Sequence, residues 1–325
     1  MANQLIVEIE QAMLSDLNNH QMERLRKVLQ RHLGHLGTNE ELEQDQNERL
    51  PTAFIAAKRV EGCTSKSLRY YESTIQNMLI GVAKPVKHIT TDDLRRYLDD
   101  YQRKSNAGRV TIDNIRRILS SFFSWLENED YILKSPVRRI RKVKTGQTIK
   151  ETYSDEALEL MRDHCGSIRD LAMIDLLAST GMRVGELVKL NRADIDFANR
   201  ECIVFGKGDK ERKVYFDARA KIHLQNYLDS RTDTNPALFA TLLKPFARLQ
   251  ISGVEIRLRE LGKKLSIPKV HPHKFRRTLA TMAIDKGMPI EQVQHLLGHQ
   301  SVDTTLQYAM VNQNNVKISH RKYLA

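Results

Sequence analysis

Apolar residues recur at helical spacing through most of this chain, and one long segment departs from that pattern. The spacing of three and four residues runs through residues 3–33, resumes after Ser65 and continues from about Val110 to Glu127. Residues 194–216 instead carry β-branched and aromatic side chains in three short runs, 195–197, 202–205 and 213–216, and a glycine-containing turn joins the last two as a hairpin. The sequence therefore predicts a mainly α fold with a small antiparallel β-sheet.

The same patterns divide the chain into four parts. Residues 1–47 predict a helical extension that breaks near Asn18, followed by an acidic, polar linker from Thr38 to Glu48. Residues 48–135 predict a compact helical domain, and residues 152–325 predict a second domain that contains the sheet. Residues 136–151 lie between the two and predict a basic interdomain linker.

The charge of the chain indicates a polyanionic partner. Its 52 lysines and arginines outnumber 40 acidic residues, which gives a net charge of +12, and proteins this basic often bind nucleic acid. The stretch 134–150 is rich in basic residues and contains no acidic one, which suits a segment lying along a phosphate backbone. A solvated surface and a solvated linker are the alternatives. The candidate DNA-binding residues are Lys104 and Arg109, in a flexible loop predicted at 104–109, and Arg138, Arg139, Arg141, Lys142 and Lys144.

Cysteine usage and hydropathy restrict the cellular setting. Cys63, Cys165 and Cys202 are irregularly spaced, which fits neither a disulfide framework nor a paired metal motif. No apolar stretch reaches the roughly 18 residues that span a bilayer. Glutamates occupy the N-terminus, where a signal peptide would be positively charged. We therefore expect a cytoplasmic protein without a membrane partner.

Four short segments of the second domain carry residues suited to phosphate chemistry. Arg183 follows a glycine that ends a helix, and Lys207 lies in the hairpin turn. His273 and Arg276 are one helical turn apart, and Tyr308 follows a Leu-Gly-His segment. Each feature alone has an ordinary structural explanation: a surface arginine, a common turn, or a tyrosine packed on an amphipathic helix.

Together these residue types fit one reaction, the attack of a hydroxyl on a phosphodiester. Such a reaction needs a nucleophile, stabilisation of the developing charge and a proton donor for the leaving oxygen. Arginines hold non-bridging phosphate oxygens through paired hydrogen bonds, histidines exchange protons near neutral pH, and lysine can protonate an alkoxide. A tyrosine that attacks forms a new phosphodiester of similar energy, so resealing needs neither water nor a nucleotide cofactor.

The order and spacing of these residues resemble those of the tyrosine recombinases, also called the phage-integrase or lambda-integrase family. The resemblance extends from about Leu50 to the C-terminus and is most specific in residues 175–325. The order Arg, Lys, His-x-x-Arg, Gly-His, Tyr is the active-site order of that family, and the nine positions from His299 to Tyr308 match its pattern. The interval from Arg183 to Lys207 matches as well.

The resemblance implies a role for each matching residue. Tyr308 would be the nucleophile that becomes linked to the 3′ phosphate, and Lys207 would protonate the 5′ oxygen that leaves. His273 would accept the tyrosine proton, and His299 would donate a hydrogen bond to the phosphate. Lys210, in the same turn, competes with Lys207 for the acid role.

The arginines of the set would act on the phosphate itself. The resemblance implies that Arg183 and Arg276 clamp the scissile phosphate and stabilise its pentacoordinate transition state, and that Glu186 supports Arg183. It implies no metal and no cofactor. Arg277 stands where many relatives carry histidine, which leaves the role of that position open.

The resemblance also implies an architecture and an assembly. A SAM-like helical core-binding domain and the catalytic domain would close as a C-shaped clamp around double-stranded DNA. Four protomers would synapse two sites and exchange strands through a Holliday junction, and we expect the tail from Val311 to Ala325 to contact a neighbouring protomer. The expected activity is the integration, excision or inversion of a mobile DNA element, and an accessory DNA-bending or excision factor is left open.

Three other functions stand as alternatives. His295 and His299 are at i and i+4, with His271 and His273 upstream, and this spacing is similar to that of a zinc site, although no cysteine pair accompanies it. A type IB topoisomerase shares the same chemistry, and relaxation of supercoiled DNA without a specific site would favour it. The third alternative is a DNA-binding regulator that has lost catalysis.

Overall fold

The computed structural model describes residues 2–14, 16–17, 19–33, 40–146, 151–206, 211–299 and 301–309. It divides into two compact units, Met1–Gln147 and Thr148–Ala325. The first unit is helical, and the second adds a three-stranded sheet to its helices. The predicted fold class, mainly α with a small antiparallel sheet, is confirmed. No helix among the described residues is both long enough and apolar enough to span a membrane.

The helices of the first unit follow the apolar pattern of the sequence. They are α1 (Ala2–Ala12), α2 (Asn19–Leu33), α3 (Glu40–Val60), α4 (Ser65–Val82), α5 (Thr91–Ser105) and α6 (Arg109–Asn128). The predicted break near Asn18 is confirmed, since α1 and α2 lie on either side of it. A capping box between Thr90 and Asp93 starts α5. Phe54 and Phe122 are fully buried at the centre of this unit.

The predicted linker from Thr38 to Glu48 is wrong over the residues that the structure describes. Helix α3 begins at Glu40 and continues to Val60, so residues 40–48 are helical. This stretch contains no glycine or proline, and its glutamates and glutamines are good helix formers. Acidic residues at its start also favour a helix N-terminus. Polarity alone therefore does not indicate a linker here.

The flexible loop predicted at 104–109 is shorter in the structure. Helix α5 extends through Ser105, and Asn106 adopts a left-handed conformation with φ of 48° while its N–H donates to the Gln102 carbonyl. Helix α6 already begins at Arg109, so only three residues connect the two helices. Lys104 and Arg109, the candidate DNA-binding residues of this segment, are both exposed.

The basic stretch after α6 packs on the first unit through its apolar residues. A 3-10 turn spans Pro136–Arg139, and Val137 within it is buried. The Thr91 hydroxyl donates to the Pro136 carbonyl at 2.7 Å, and the Val143 N–H donates to the Asp113 carboxylate at 3.1 Å. The five basic candidates of this stretch are all exposed: Arg138, Arg139, Arg141, Lys142 and Lys144. The segment is thus anchored by its apolar residues, with its cations on the outside.

The second unit combines a small sheet with helices. These are α7 (Asp155–Asp163), α8 (Ile168–Thr180), α9 (Val184–Leu187), α10 (Ala218–Asp229), α11 (Ile251–Lys264), α12 (Pro272–Asp285), α13 (Ile290–Leu297) and α14 (Val302–Ala309). The strands are β1 (Ile195–Asp196), β2 (Glu201–Phe205) and β3 (Glu211–Tyr215), paired antiparallel in the order β1-β2-β3. The predicted hairpin is confirmed by the pairing of Cys202 with Val214 and of Val204 with Arg212.

Helix α8 lies at the centre of the second unit. It packs against α10 on one side and α12 on another, and Ala172, Met173, Leu176 and Leu177 are fully buried. Gly181 ends the helix in a left-handed conformation with φ of 60°. A Cβ at Gly181 would lie 2.6 Å from Leu279 Cδ2, so both its backbone conformation and its packing favour glycine. The end of α8 is thereby fixed at Gly181, two residues before Arg183.

Candidate active site

Arg183 is held by the short helix that follows it. It is the N-cap residue of α9, and its backbone N–H donates to Glu186 Oε2 at 2.8 Å. Its guanidinium Nη1 donates to Glu186 Oε1, also at 2.8 Å. Glu186 therefore fixes both the backbone and the side chain of Arg183, as the resemblance implies for a supporting residue.

Glu186 is shared with a second arginine from the sheet. Arg212 on β3 donates through Nη1 to Glu186 Oε1 and through Nη2 to Oε2, both at 2.7 Å. Burial acts to raise the pKa of the Glu186 carboxyl, but the hydrogen bonds from Arg212 and Arg183 outweigh it and lower that pKa. Glu186 is thus an ionised, buried carboxylate that pairs with two guanidinium groups.

Arg276 is a buried residue that connects two segments of the site through hydrogen bonds. It is 2% exposed, and its Nη1 donates to the Gly181 carbonyl at 2.8 Å. Its Nη2 donates to the Leu297 carbonyl. Arg183 reaches the next carbonyl of the same turn, since its Nη2 lies 3.4 Å from the Gly298 oxygen. The two arginines predicted to clamp a phosphate therefore converge on one turn, although they are 93 positions apart, as 276 minus 183 shows.

That turn presents His299. Gly298 adopts a left-handed conformation with φ of 64° after α13, and His299 Nδ1 lies 2.9 Å from the hydroxyl oxygen of buried Thr305 on α14. Burial, together with the positive charges of Arg276, Arg183 and Arg212, lowers the pKa of His299 to about 4. His299 is therefore neutral at physiological pH in the DNA-free protein, and a neutral imidazole can donate one hydrogen bond and accept another.

The remaining predicted residues lie on α12, on α14 or outside the described residues. His273 is exposed in the first turn of α12, one helical turn before Arg276. Tyr308 lies on α14, which starts three residues after His299, and its side chain lies outside the described residues. Lys207 and Lys210 lie outside them entirely. The structure thus brings together Arg183, Glu186, Arg276 and His299, while the positions of the nucleophile's hydroxyl and of the general acid stay predictions.

Two features of the site were not resolved by the sequence. Arg212 was not predicted at all, although its place on the inner face of β3, two residues before buried Val214, indicates a buried cation in need of a carboxylate. Arg277, whose role the sequence leaves open, donates to the Glu151 carbonyl at 2.7 Å. It ties the start of the second unit to α12.

The zinc alternative finds no support in the geometry. Helix α13 ends at Leu297, and the left-handed Gly298 separates His295 from His299, so the two rings do not share a helical face. Among the described residues, no group of three histidine, cysteine or acidic side chains is arranged to hold a metal ion.

The composition of this site suits phosphoryl transfer from a phosphodiester. Two arginines and a histidine from separate segments surround one turn, and Glu186 offsets only part of their charge. Guanidinium groups offer paired N–H donors to non-bridging phosphate oxygens, and preorganised donors of this kind stabilise the charge that develops in the transition state. The fold and site therefore define an enzyme of phosphoryl transfer.

Comparison with known proteins gives the family. The model described as the phage integrase family matches residues 137–315, and the model of the N-terminal SAM-like domain of phage integrases matches residues 50–133. The chain is 35% identical over 241 residues to the tyrosine recombinase XerC of Leptospira interrogans, covering 71% of this chain and 77% of that protein. It is 30% identical over 278 residues to XerC of Herpetosiphon aurantiacus, covering 80% of this chain and 90% of that protein.

Solved structures show the same fold. The integrase of the Tn1549 transposon, in complex with transposon right end DNA, superposes with a TM-score of 0.72 at 19% identity and covers 85% of this chain and 99% of its own. The XerH site-specific recombinase bound to a palindromic difH substrate gives a TM-score of 0.68 at 18% identity, covering 98% of this chain and 95% of its own.

The chain belongs to the phage integrase family, the tyrosine recombinases. It is a site-specific DNA recombinase that cleaves and rejoins double-stranded DNA. The family predicted from the sequence is confirmed, and neither a type IB topoisomerase nor an inactive regulator is supported.

The protonation of His299 gives a first prediction. In the DNA-free protein we expect His299 to titrate near pH 4 rather than near the ordinary histidine value of about 6.5, because burial and three arginines oppose its protonation. NMR of histidine-labelled protein measures this, and a His299→Gln variant assigns the signal. A His299 pKa at or above about 6.5 would contradict the geometry.

The lowered pKa of His299 also determines how the folding stability changes with pH. The unfolded chain takes up the His299 proton at a higher pH than the folded chain does, so stability falls as the solution is acidified. The stability linked to neutral His299 is complete above about pH 6.5 and is lost as the pH falls towards about 4. A bound phosphate offsets the three cations, so we expect DNA to raise the His299 pKa.

Proposed function

We propose that this recombinase cleaves DNA through Tyr308 with the aid of Arg183, Lys207, His273, Arg276 and His299. The observation that carries the proposal is the convergence of Arg183, Arg276 and His299 on the turn at 297–299, which leads within three residues into the helix of Tyr308. No other cluster is needed, because these segments supply every residue type that the reaction requires.

The chemistry conserves the number of phosphodiester bonds. The Tyr308 Oη attacks the scissile phosphorus and gives up its proton to His273, while the bond from phosphorus to the 5′ oxygen breaks. Lys207 donates a proton to that oxygen, which leaves as a 5′ hydroxyl. The DNA is then joined to the protein through a 3′-phosphotyrosyl linkage. Attack by a 5′ hydroxyl on this linkage releases Tyr308 and rejoins a strand, so no cofactor enters the reaction.

Arg183 and Arg276 supply the charge stabilisation in this proposal. Both are held by bonds to the protein, Arg183 by Glu186 and Arg276 by two backbone carbonyls, so little reorganisation is needed when the phosphate arrives. His299, neutral before DNA binds, donates a hydrogen bond to a non-bridging oxygen.

The exposed cations of the first unit would contact the DNA backbone. We assign this role to the basic residues on the outer side of the stretch after α6 and to Lys104 and Arg109 at the α5–α6 connection. Contacts of this kind are independent of base sequence and sensitive to salt. In this proposal both units grip the duplex as a clamp, and residues 136–151 link them.

The biological reaction is strand exchange between two DNA sites. Four protomers would hold the synapse, resolve a Holliday junction and contact one another through residues 312–325, which lie outside the described residues. The product would be integration, excision or inversion of a DNA element, with an accessory DNA-bending factor as a further partner and the cytoplasm as the setting.

Replacement of the nucleophile tests the reaction. Tyr308→Phe removes the attacking oxygen, so we expect normal site binding and no covalent adduct with a nicked substrate whose short product diffuses away. Denaturing gels measure the adduct, with a chelator present because no proposed step uses a metal ion. Tyr215→Phe, at an exposed position on β3, is the matched control and should form the adduct normally. An adduct in the Tyr308→Phe protein would overturn the assignment.

The general acid can be tested through the leaving group. A substrate with sulfur in place of the 5′ bridging oxygen releases a thiolate, whose conjugate acid has a pKa of about 8.5 and needs no proton donor. We expect Lys207→Ala to lower the cleavage rate on the ordinary substrate by about 10²- to 10⁴-fold and to cleave the sulfur substrate at nearly the unaltered rate.

Lys210→Ala is the matched control in the same turn. It should cleave both substrates at nearly the unaltered rate. The assignment of Lys207 fails if its defect persists with sulfur, or if the pattern expected of Lys207→Ala is found in Lys210→Ala instead.

A further inference from the structure

Arg212 is an arginine of the site that stands outside the predicted catalytic set. It lies on β3 opposite Val204, two positions after residues 207–210, which include Lys207 and lie outside the described residues. Its side chain is only 8% exposed, whereas that of Arg183 is 35% exposed. This difference separates the two arginines: Arg183 is open to a ligand, and Arg212 is enclosed by protein.

Three N–H donors of Arg212, one on each nitrogen, bond to the protein itself. Nη1 and Nη2 bond to the two oxygens of Glu186 at 2.7 Å, and Nε lies 3.3 Å from the Leu296 carbonyl oxygen. A bidentate pair of this kind fixes the plane of the guanidinium and the plane of the carboxylate together. Arg212 is therefore built to orient neighbouring groups rather than to bind a phosphate.

The first group that Arg212 orients is Glu186. This carboxylate accepts four hydrogen bonds, two from Arg212 and two from Arg183, which matches its four lone-pair positions. Its one negative charge is divided between two guanidinium groups, so the three side chains together keep one positive charge. With Arg212 neutralised, Glu186 would cancel the charge of Arg183, and its carboxylate plane would lose its second support.

The second group is the turn that presents His299. Besides the bond to the Leu296 carbonyl, the Arg212 side chain lies against Gly298, where a Cβ would come within 2.8 Å of Arg212 Cδ. Gly298 also needs its positive φ. Because Gly298 has no side chain, its backbone can be left-handed and the methylene groups of Arg212 can pack against it. Arg212 thus contacts both Glu186, which holds Arg183, and the turn before His299, so one side chain couples the positions of Arg183 and His299.

We propose that Arg212 is a positioning residue for strand cleavage: through Glu186 it sets the orientation and net charge of Arg183, and through the turn at 296–298 it sets the place of His299. The proposal rests on the proposed roles of Arg183 and His299 at the scissile phosphate. Arg212 itself need not touch the DNA.

The test compares three variants in single-turnover cleavage of the nicked substrate by the full-length protein. Arg212→Met removes the charge and the donors, and Arg212→Lys keeps the charge but loses the bidentate bond. Lys213→Ala is the matched control, since its exposed side chain lies on the opposite face of the same strand and pairs with Glu201. Site binding and thermal unfolding are measured for each variant.

We expect Arg212→Met to slow cleavage by about 10- to 100-fold, by analogy with residues that orient the ligands of a metal ion. Site binding should change much less, Arg212→Lys should fall between Arg212→Met and the unaltered protein, and Lys213→Ala should cleave normally. Normal cleavage by Arg212→Met would overturn the proposal.

A change of substrate distinguishes positioning from general damage to the fold. A methylphosphonate at the scissile position has a methyl group in place of one non-bridging oxygen and is neutral, so the charge of Arg183, and with it a misplaced Arg183, matters less on it. We therefore expect the defect of Arg212→Met to shrink on this substrate. An equal defect on both substrates would show a merely structural role and overturn the proposal.

Two further variants separate this proposal from the proposed function. The effects of Glu186→Gln and Arg212→Met should combine less than additively in free energy, because Arg212 acts partly through Glu186; full additivity would contradict that coupling. Arg183→Ala, assayed in parallel, should cleave poorly on the ordinary substrate. If it cleaved normally, the proposed role of Arg183 at the phosphate would fail, whatever the result for Arg212.

Discussion

The active site depends on how several positive charges are held close together without a phosphate present. Two unit charges about 4 Å apart repel by about 4 kcal/mol at an effective dielectric constant of about 20, so a cluster of arginines needs a compensating anion or strong anchors. Glu186 is that anion for Arg183 and Arg212, and two backbone carbonyls anchor Arg276. The compensation is incomplete, and the positive charge that remains favours an incoming phosphodiester.

The same requirement accounts for the two glycines that border the site. Gly181 and Gly298 both end helices in the left-handed conformation, and both sit where a Cβ would meet a neighbouring side chain. The Gly181 carbonyl accepts a hydrogen bond from Arg276, and the Gly298 carbonyl accepts one from Arg183. Backbone geometry at two helix ends therefore places the arginines, and the low pKa of His299 is a consequence of that placement.

Much of this site could be predicted from the sequence because its residues follow a fixed order. Arg183, Arg276 and His299 were predicted from motif and spacing, and the structure brings them to one turn. Arg212 was not predicted, because its partner Glu186 is 26 positions away and the pairing arises only when β3 folds against α9. The sequence offered one signal for this pairing: an arginine at an inward-facing position of a strand, which indicates a buried cation that needs a carboxylate partner.

One error in the fold came from treating polar composition as a sign of irregular structure. Residues 40–48 are acidic yet helical, since helix propensity rather than polarity decides there. The stretch after α6 stays a predicted linker, and buried Val137 and the Val143 N–H attach its first part to the first unit. These contacts depend on where α5 and α6 lie in space, and local sequence carries little information about that.

The account depends most on the claim that Tyr308 becomes joined to DNA. The most direct measurement is mass spectrometry of the covalent complex after nuclease and trypsin digestion. Trypsin releases residues 287–317 as one peptide, in which Tyr308 is the only tyrosine. We predict that this peptide carries a nucleotide attached through its 3′ phosphate, and that tandem mass spectrometry locates the nucleotide on Tyr308. A nucleotide on any other residue, or cleavage of the substrate with no protein-linked product, would contradict the account.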